Sequence, residues 1–324
     1  MHVFEWGRAN DAELSNAIGV ANQVQDSFQF ELHHEIIPLK KRYKLQNGGY
    51  DLDRAASVLL RARKLPKPLI LMTSLPYTDG EHCRQKDWFF FGDISLKEDP
   101  ETAIISSYIW ESFAPKRDLE KYILLMLATV AIDRVAKVEF HSRTKGCPLD
   151  YCEEVAAIDQ VLANPKFCRE CEVDLEKKIR AGMVTSAELS SVRRLLLRAA
   201  NKKLAFVIMP FKARFWQLYR KSIAPALLDS GWTPVTASDF AKPQDILEAI
   251  IRGIREADLI VADISETNAN VFWEFGIAYA LGKDFVVLSS KKKLPFDVAR
   301  NRCIFYKKNA ISFKKLAAEL KKHF

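Results

Sequence analysis

Two carboxylates and a few amides carry the most legible chemistry in this chain. Glu274 sits in the run Phe272-Trp273-Glu274-Phe275-Gly276, and Asp263 lies near the end of an apolar stretch, 259–264. A carboxylate near a helix N-terminus stays ionised, because backbone N–H dipoles favour its charge. An ionised, fixed carboxylate suits attack on a cationic sugar carbon, or its stabilisation. Glycosidic cleavage passes through an oxocarbenium-like state, and Asp and Glu are its usual partners. Loss of the base from a nicotinamide or nucleoside ribose makes the same demand. Glu274 and Asp263 are therefore the candidate catalytic residues, with Asp263 accepting from ribose hydroxyls. Pro210, Phe211, Asn268 and Asn270 are the candidate substrate-binding residues, Phe211 offering a stacking surface for a base. Plainer roles stand beside these. A first-turn Glu often only satisfies the helix dipole, Asn270 is a ready N-cap, Asn268 is a turn former, and Phe211 and Trp273 are core candidates. Convergence on one crevice favours the functional reading.

That crevice follows from the elements of the last third of the chain. Residues 204–209 form a continuous apolar run, the mark of a fully buried strand. Phe215, Leu218, Tyr219, Ile223 and Leu227 recur at helical spacing until Gly231. Strands are expected at 232–236, 259–264, 285–288 and 303–306. Helices are expected after Pro243 (Ile246, Ile250, Ile254), over 271–281, and after a capping Ser312. Five strands alternating with helices imply a parallel sheet covered on both faces. Right-handed crossovers favour strand order 2-1-3-4-5, with a cleft between strands one and three at their carboxyl ends. Residues 209–211 and 263–270 face that cleft, and Glu274 falls in the first turn or so of the third helix.

Upstream, a domain of residues 1–203 precedes this domain of 204–324. Its first 30 residues give weak signals. Strands are expected near 36–39, 69–73, 88–94 and 103–108, and helices at 53–63 and 119–136. Two later helices, 172–181 and 186–200, follow, the second opened by a Thr185/Glu188 capping box. The basic face of that second helix reads as a connector between domains.

Four of the six cysteines cluster as Cys147, Cys152, Cys168 and Cys171, two short spacings separated by a loop. In a cytosolic chain such a cluster reads as metal binding before disulfides. Four thiolates make a closed tetrahedral zinc site, with no open position for water and hence a structural role. Binding supplies roughly 10–16 kcal/mol, enough to order a loop. The alternative is a set of reduced core cysteines.

The strings FVIMPF, ADLIVADISETNANVFWEFGIAYALGK and PFDVARNRCIFY together resemble the TIR-like branch of the nucleoside 2-deoxyribosyltransferase superfamily, over about residues 204–306. The resemblance implies a flavodoxin-like fold. It implies a nucleophilic or stabilising glutamate in the F-x-E-x-G-x-A motif, here Glu274, and a sugar-binding aspartate in A-D-I-S, here Asp263. Relatives cleave or exchange N-glycosidic bonds of nucleosides, nucleotides or NAD, many in prokaryotic antiviral defence. Asn268-Ala269-Asn270 replaces the Asp-x-Gly-Thr element of the transferases, which shifts the implied activity toward hydrolysis or ligand sensing. Residues from about 69 to 175 resemble an archaemetzincin-like zincin domain. That resemblance rests on LILMTSLPY, FFFGDIS and AIISSYIW before the long helix, then His141, Gly146, Cys147, Asp150 and Cys152 followed by Cys168 and Cys171. The His-Glu-x-x-His motif is absent, so peptidase activity is expected to be lost.

Composition fits this picture. Apolar residues make up 48% and charged residues 28%, as in a soluble globular protein. The longest apolar run, 122–132, is too short to span a bilayer, and the N-terminus has no signal-peptide pattern, so the cytoplasm is the expected location. The net charge of +8 sits largely in lysine runs, near 291–293 and through 307–322, which read as solvated faces. The first functional reading is an N-glycosidase acting on NAD or a related nucleotide, with the zinc-stabilised module docking a partner protein or a second copy. The rivals are a non-catalytic nucleotide sensor, a deoxyribosyltransferase, and a scaffold whose basic tail binds nucleic acid.

Overall fold

The computed structural model describes residues 1–7, 11–79, 81, 84–85, 89–113, 118–151, 155–240, 246–292, 303–307 and 310–323. The chain divides into two compact units, Met1–Asn201 and Lys202–Phe324.

The N-terminal unit is built on a five-stranded sheet. Its spatial order is Glu31–Ile37, His2–Trp6, Leu69–Thr73, Thr102–Ser106, Gly92–Asp93. The first four strands run parallel, and Gly92–Asp93 pairs antiparallel at one edge. Gly92 is required there, since a Cβ at this position would lie 2.4 Å from the Ile104 carbonyl oxygen. Of the strand expected at 88–94, Gly92–Asp93 is strand and residues 86–88 lie outside the described residues. Both sheet faces are covered: Leu69, Leu71 and Ile104 pack on one side with Leu52 and Ala55, and Ile70, Met72 and Ile105 on the other with the long helix.

The weak signals of the first 30 residues conceal a strand, His2–Trp6, and a helix, Asp11–Val24. The strand is short and includes a buried Glu5; the helix turns Leu14, Ala17, Ile18 and Ala21 to the core, and alanines give little hydrophobic contrast. The helix Leu119–Ala136 spans the expected residues, capped by Asp118 accepting from the Glu120 N–H and ended by Lys137 in a left-handed conformation. It is buried on nearly every side rather than on one face, because the sheet and the helices Asp11–Val24 and Ser186–Ala199 enclose it.

The helix Ser186–Ala199 corrects an expectation. Its Thr185/Glu188 capping box forms, yet it is no connector. Leu189, Val192, Leu195 and Leu196 are buried in the N-terminal core, and Arg193 pairs with Glu172 at 2.6 Å. Basic residues flanking an apolar stripe describe the outer side of a packed helix as well as they describe a linker.

The C-terminal unit follows the expected α/β plan. Its sheet has the order Cys303–Phe305, Asp284–Ser289, Leu259–Asp263, Lys203–Ile208, Trp232–Val235, all parallel. In unit order this is 5-4-3-1-2, the doubly wound arrangement read from the sequence. Pro234 is tolerated because Trp232–Val235 is an edge strand. Ala205, Val207 and Val261 pack against one helical layer, and Phe206, Ile208, Ile260 and Ala262 against the other. The last helix runs from Ala310 to Leu320, so Ser312 lies within it rather than before it. Pro243 lies outside the described residues.

If Ser186–Ala199 belongs to the core, Leu195→Ala removes a fully buried side chain and destabilises the N-terminal unit by about 2–5 kcal/mol in urea denaturation. A loss below about 0.5 kcal/mol, typical of an exposed site, returns the helix to a connector role.

Candidate active site and metal centre

The helix Ala269–Ala280 carries the central carboxylate. Asn268 is its N-cap, its Oδ1 accepting from the N–H groups of Asn270 (3.0 Å) and Val271 (3.2 Å). The expected roles are thus exchanged: Asn268 caps, and Asn270 is an exposed second residue of the helix. Val271, Glu274, Phe275 and Ala278 form the buried face, which packs on Phe206, Ile208, Ile260 and Ala262. Glu274 is the one ionisable residue on that face and is 5% exposed. Among the described residues it has no hydrogen-bond or ion-pair partner.

Its charge state departs from expectation. Counting from the cap, Glu274 is the sixth helical residue, beyond the first turn where the dipole acts. Burial dominates instead and pushes its pKa up to about 7. At neutral pH the carboxyl is divided between acid and carboxylate, a poise suited to proton transfer or to nucleophilic attack.

Asp263 ends the strand Leu259–Asp263 and is fully buried. One oxygen accepts from the Ser265 N–H at 2.9 Å, and the other from the Tyr306 hydroxyl at 2.7 Å. The Ser265 and Tyr306 hydroxyls lie 3.1 Å apart, and Ser265 Oγ also accepts from the Ser290 N–H at 2.8 Å. Burial, then the neighbouring Asp263 charge, pushes the Tyr306 pKa up, so it stays a donor. With both oxygens engaged by protein groups, Asp263 tethers three strand ends. Ser265 and Tyr306 are the partners that sequence reading passed over. The signal was a serine within the segment 263–270 expected to face the cleft and a tyrosine at the end of the strand expected at 303–306.

The loop after the first strand of the sheet is tied to the loop after the third. Glu266 pairs with Lys212 at 2.9 Å and with Arg214. Pro210 is buried at the strand end, while Phe211 is 59% exposed, its ring edge-on to Trp216. Phe211 is thus no core residue.

In the N-terminal unit four donors converge. His141 Nε2 lies 3.1 Å from Cys171 Sγ and 3.3 Å from Cys168 Sγ, and the sulfurs of Cys147 and Cys171 are 3.8 Å apart. Zn–S near 2.3 Å and Zn–N near 2.0 Å give tetrahedral edges of about 3.5–3.8 Å, so this set fits zinc. Of the four cysteines expected, Cys152 lies outside the described residues; among those described, His141 joins Cys147, Cys168 and Cys171 as a fourth donor able to hold a metal. Two local structures position the ligands. In 141–150, Asp150 accepts from the N–H groups of Lys145 (2.7 Å) and Cys147 (2.9 Å), and Gly146 takes the left-handed φ of +74° that the tight turn requires. Cys168 is the N-cap of Arg169–Arg180 and Cys171 lies in its first turn, where the dipole favours thiolates. Burial raises the thiol pKa of Cys147 and Cys171, a cost that a bound divalent cation offsets.

Nearby, a cavity of about 970 Å³ opens between Gly92–Asp93 and the long helix. The helix presents Leu125, Met126, Thr129 and Asp133 to it, and the described lining contains no histidine.

No family model matches the chain, and no curated protein does. Solved structures similar to it include archaemetzincin from Archaeoglobus fulgidus, at 12% identity over 54% of this chain and 99% of that one, with a TM-score of 0.40. A CMP N-glycosidase from Clostridium botulinum shares 20% identity over 38% of this chain and all of its own, with a TM-score of 0.31. A 2-deoxyribosyltransferase from Leishmania mexicana shares 21% over 31% of this chain and 72% of its own, with a TM-score of 0.26. None reaches an identity or score from which activity can be read across. No helix among the described residues is long and apolar enough to cross a membrane.

The raised pKa has a stability consequence of definite sign. Glu274 is held neutral below its unfolded value near 4.5, and folding loses stability as pH rises toward and through 7. Glu274→Gln therefore raises the melting temperature more at pH 8.5 than at pH 4, with a pH-dependent difference on the order of 3 kcal/mol. A melting difference that does not change with pH would contradict the raised pKa. For the metal centre, His141→Ala and Cys168→Ser lower bound zinc, measured by elemental analysis of the purified protein, and lower the melting temperature. Unchanged zinc content in both would remove these donors from the centre.

Proposed function

We propose that the C-terminal unit hydrolyses an N-glycosidic bond of NAD or a related nucleotide or nucleoside, with Glu274 acting on the sugar carbon. The observation that carries this reading is a carboxyl group without a partner on the core face of a helix, with a pKa near 7. Burying such a group without a partner is costly, and carboxyls perturbed in this way cluster at functional sites. In the reaction the C1′–N bond breaks and its electron pair leaves with the base. The Glu274 carboxylate stabilises the developing oxocarbenium ion, or captures it as an ester. Water then adds hydroxide to C1′ and releases a proton.

NAD is the favoured substrate because nicotinamide leaves its ribose as a neutral molecule and needs no proton donor. A positively charged ring beside Glu274 also draws the carboxyl toward its ionised form. In this account Asp263 is a positioning residue, holding the strand ends through Ser265 and Tyr306, and Phe211 supplies a face for the base. Asn268 shapes the loop, and Asn270, exposed beside it, can reach the ligand. A setting in antiviral defence, with the zinc-stabilised unit docking a partner protein or a second copy, follows the resemblance to TIR-like effectors.

The test is product formation by the full chain with NAD, and separately with nucleosides, beside Glu274→Gln. The variant is expected to lose at least about 100-fold in kcat. The wild-type kcat/KM should rise about tenfold per pH unit and level off above 7. Equal product from both proteins removes Glu274 from the mechanism, and tight nucleotide binding without turnover favours a sensor.

A further inference from the structure

The edge of the N-terminal sheet joins three metal-binding side chains that the sequence keeps apart. His2–Trp6 and Glu31–Ile37 run parallel, with His2 opposite Glu31 and Phe4 opposite His33. Alternation along each strand puts His2, Phe4, Glu31 and His33 on one face. His2 Nδ1 lies 3.0 Å from His33 Nε2 and 3.2 Å from one Glu31 oxygen, and the other oxygen is 3.9 Å from His33 Nε2. Ligands about 2.1 Å from a cation stand roughly 3.0 Å apart at octahedral cis positions and 3.4 Å apart at tetrahedral ones. A bond between the two imidazoles would account for their separation alone. The Glu31 carboxylate, facing both rings, adds a third donor to the pair.

The arrangement is held in place before any ion arrives. The His33 ring stacks on buried Phe4 with centroids 4.1 Å apart and planes 2° from parallel. That contact fixes the direction in which Nε2 points. His2 and His33 are half-buried and Glu31 is exposed, so an ion reaches the site from solvent and keeps water in its remaining positions.

We propose that His2, Glu31 and His33 form a second metal site, for a borderline divalent cation such as Zn²⁺. Two imidazoles and one carboxylate suit Zn²⁺, Ni²⁺ or Cu²⁺ and disfavour Mg²⁺ and Ca²⁺. The site differs in kind from the sulfur-rich centre at His141, and it staples the edge strand to its neighbour.

Zinc bound per full-length chain, by equilibrium dialysis with elemental analysis, tests it. The double variant His2→Asn/His33→Asn is expected to bind one equivalent fewer than wild type. Its sulfur-to-cobalt charge-transfer absorption, after cobalt substitution, should be unchanged, because the thiolate centre is intact. Should the double variant fold poorly, Glu31→Gln changes only an exposed side chain. It should weaken the same equivalent by more than the roughly 10–100-fold expected of an outer-shell partner. Identical zinc content and affinity in wild type and variants overturn the proposal.

Discussion

A carboxyl group taken out of water without a partner is among the more costly things a fold can do, and the C-terminal unit arranges itself around one. Glu274 shares its helix face with Val271, Phe275 and Ala278, each packed on the central strands. A leucine there would complete the apolar layer. Instead the layer carries an acid whose ionisation the surroundings oppose. The cap at Asn268, the strand-end network of Asp263, Ser265 and Tyr306, and the Lys212–Glu266 tie all join segments at the carboxyl ends of the strands. Burial of the Glu274 side chain, by opposing its charged form, is what holds the pKa high.

The N-terminal unit solves a different problem with similar means. The segment 141–171 joins the core through Leu149, Ile158, Val161 and Phe167, and its ligand turn is ordered by Asp150 and Gly146. A metal held by His141, Cys147, Cys168 and Cys171 would link that turn to the start of Arg169–Arg180, whose apolar stripe then joins the core through Leu175. That helix N-terminus would then carry two of the ligands, Cys168 and Cys171.

The C-terminal sheet was legible because its central strands are continuous apolar runs between helical repeats, and a parallel order leaves few alternatives. The N-terminal sheet was less so. His2–Trp6 and Glu31–Ile37 mix histidine and glutamate into strands that are central or at an edge, and their pairing is nonlocal. Site residues were legible as identities more than as states. Glu274 was found from its motif, yet its protonation depended on five intervening residues of helix and on burial, neither of which a motif records. His141 stood beside the cysteines in the sequence, but only the turn through Asp150 brings its ring to them. The pairing of Asp263 with Tyr306 joins residues 43 apart, and no local pattern announces it.

The central claim is the charge state of one side chain, and carbon NMR of the protein labelled at glutamate δ-carboxyls measures it directly, with Glu274→Gln identifying the resonance. The account predicts a titration midpoint near 7. A midpoint at the ordinary value near 4.5 would mean that water or a cation already satisfies the carboxylate, and the crevice would lose its reason for being reactive.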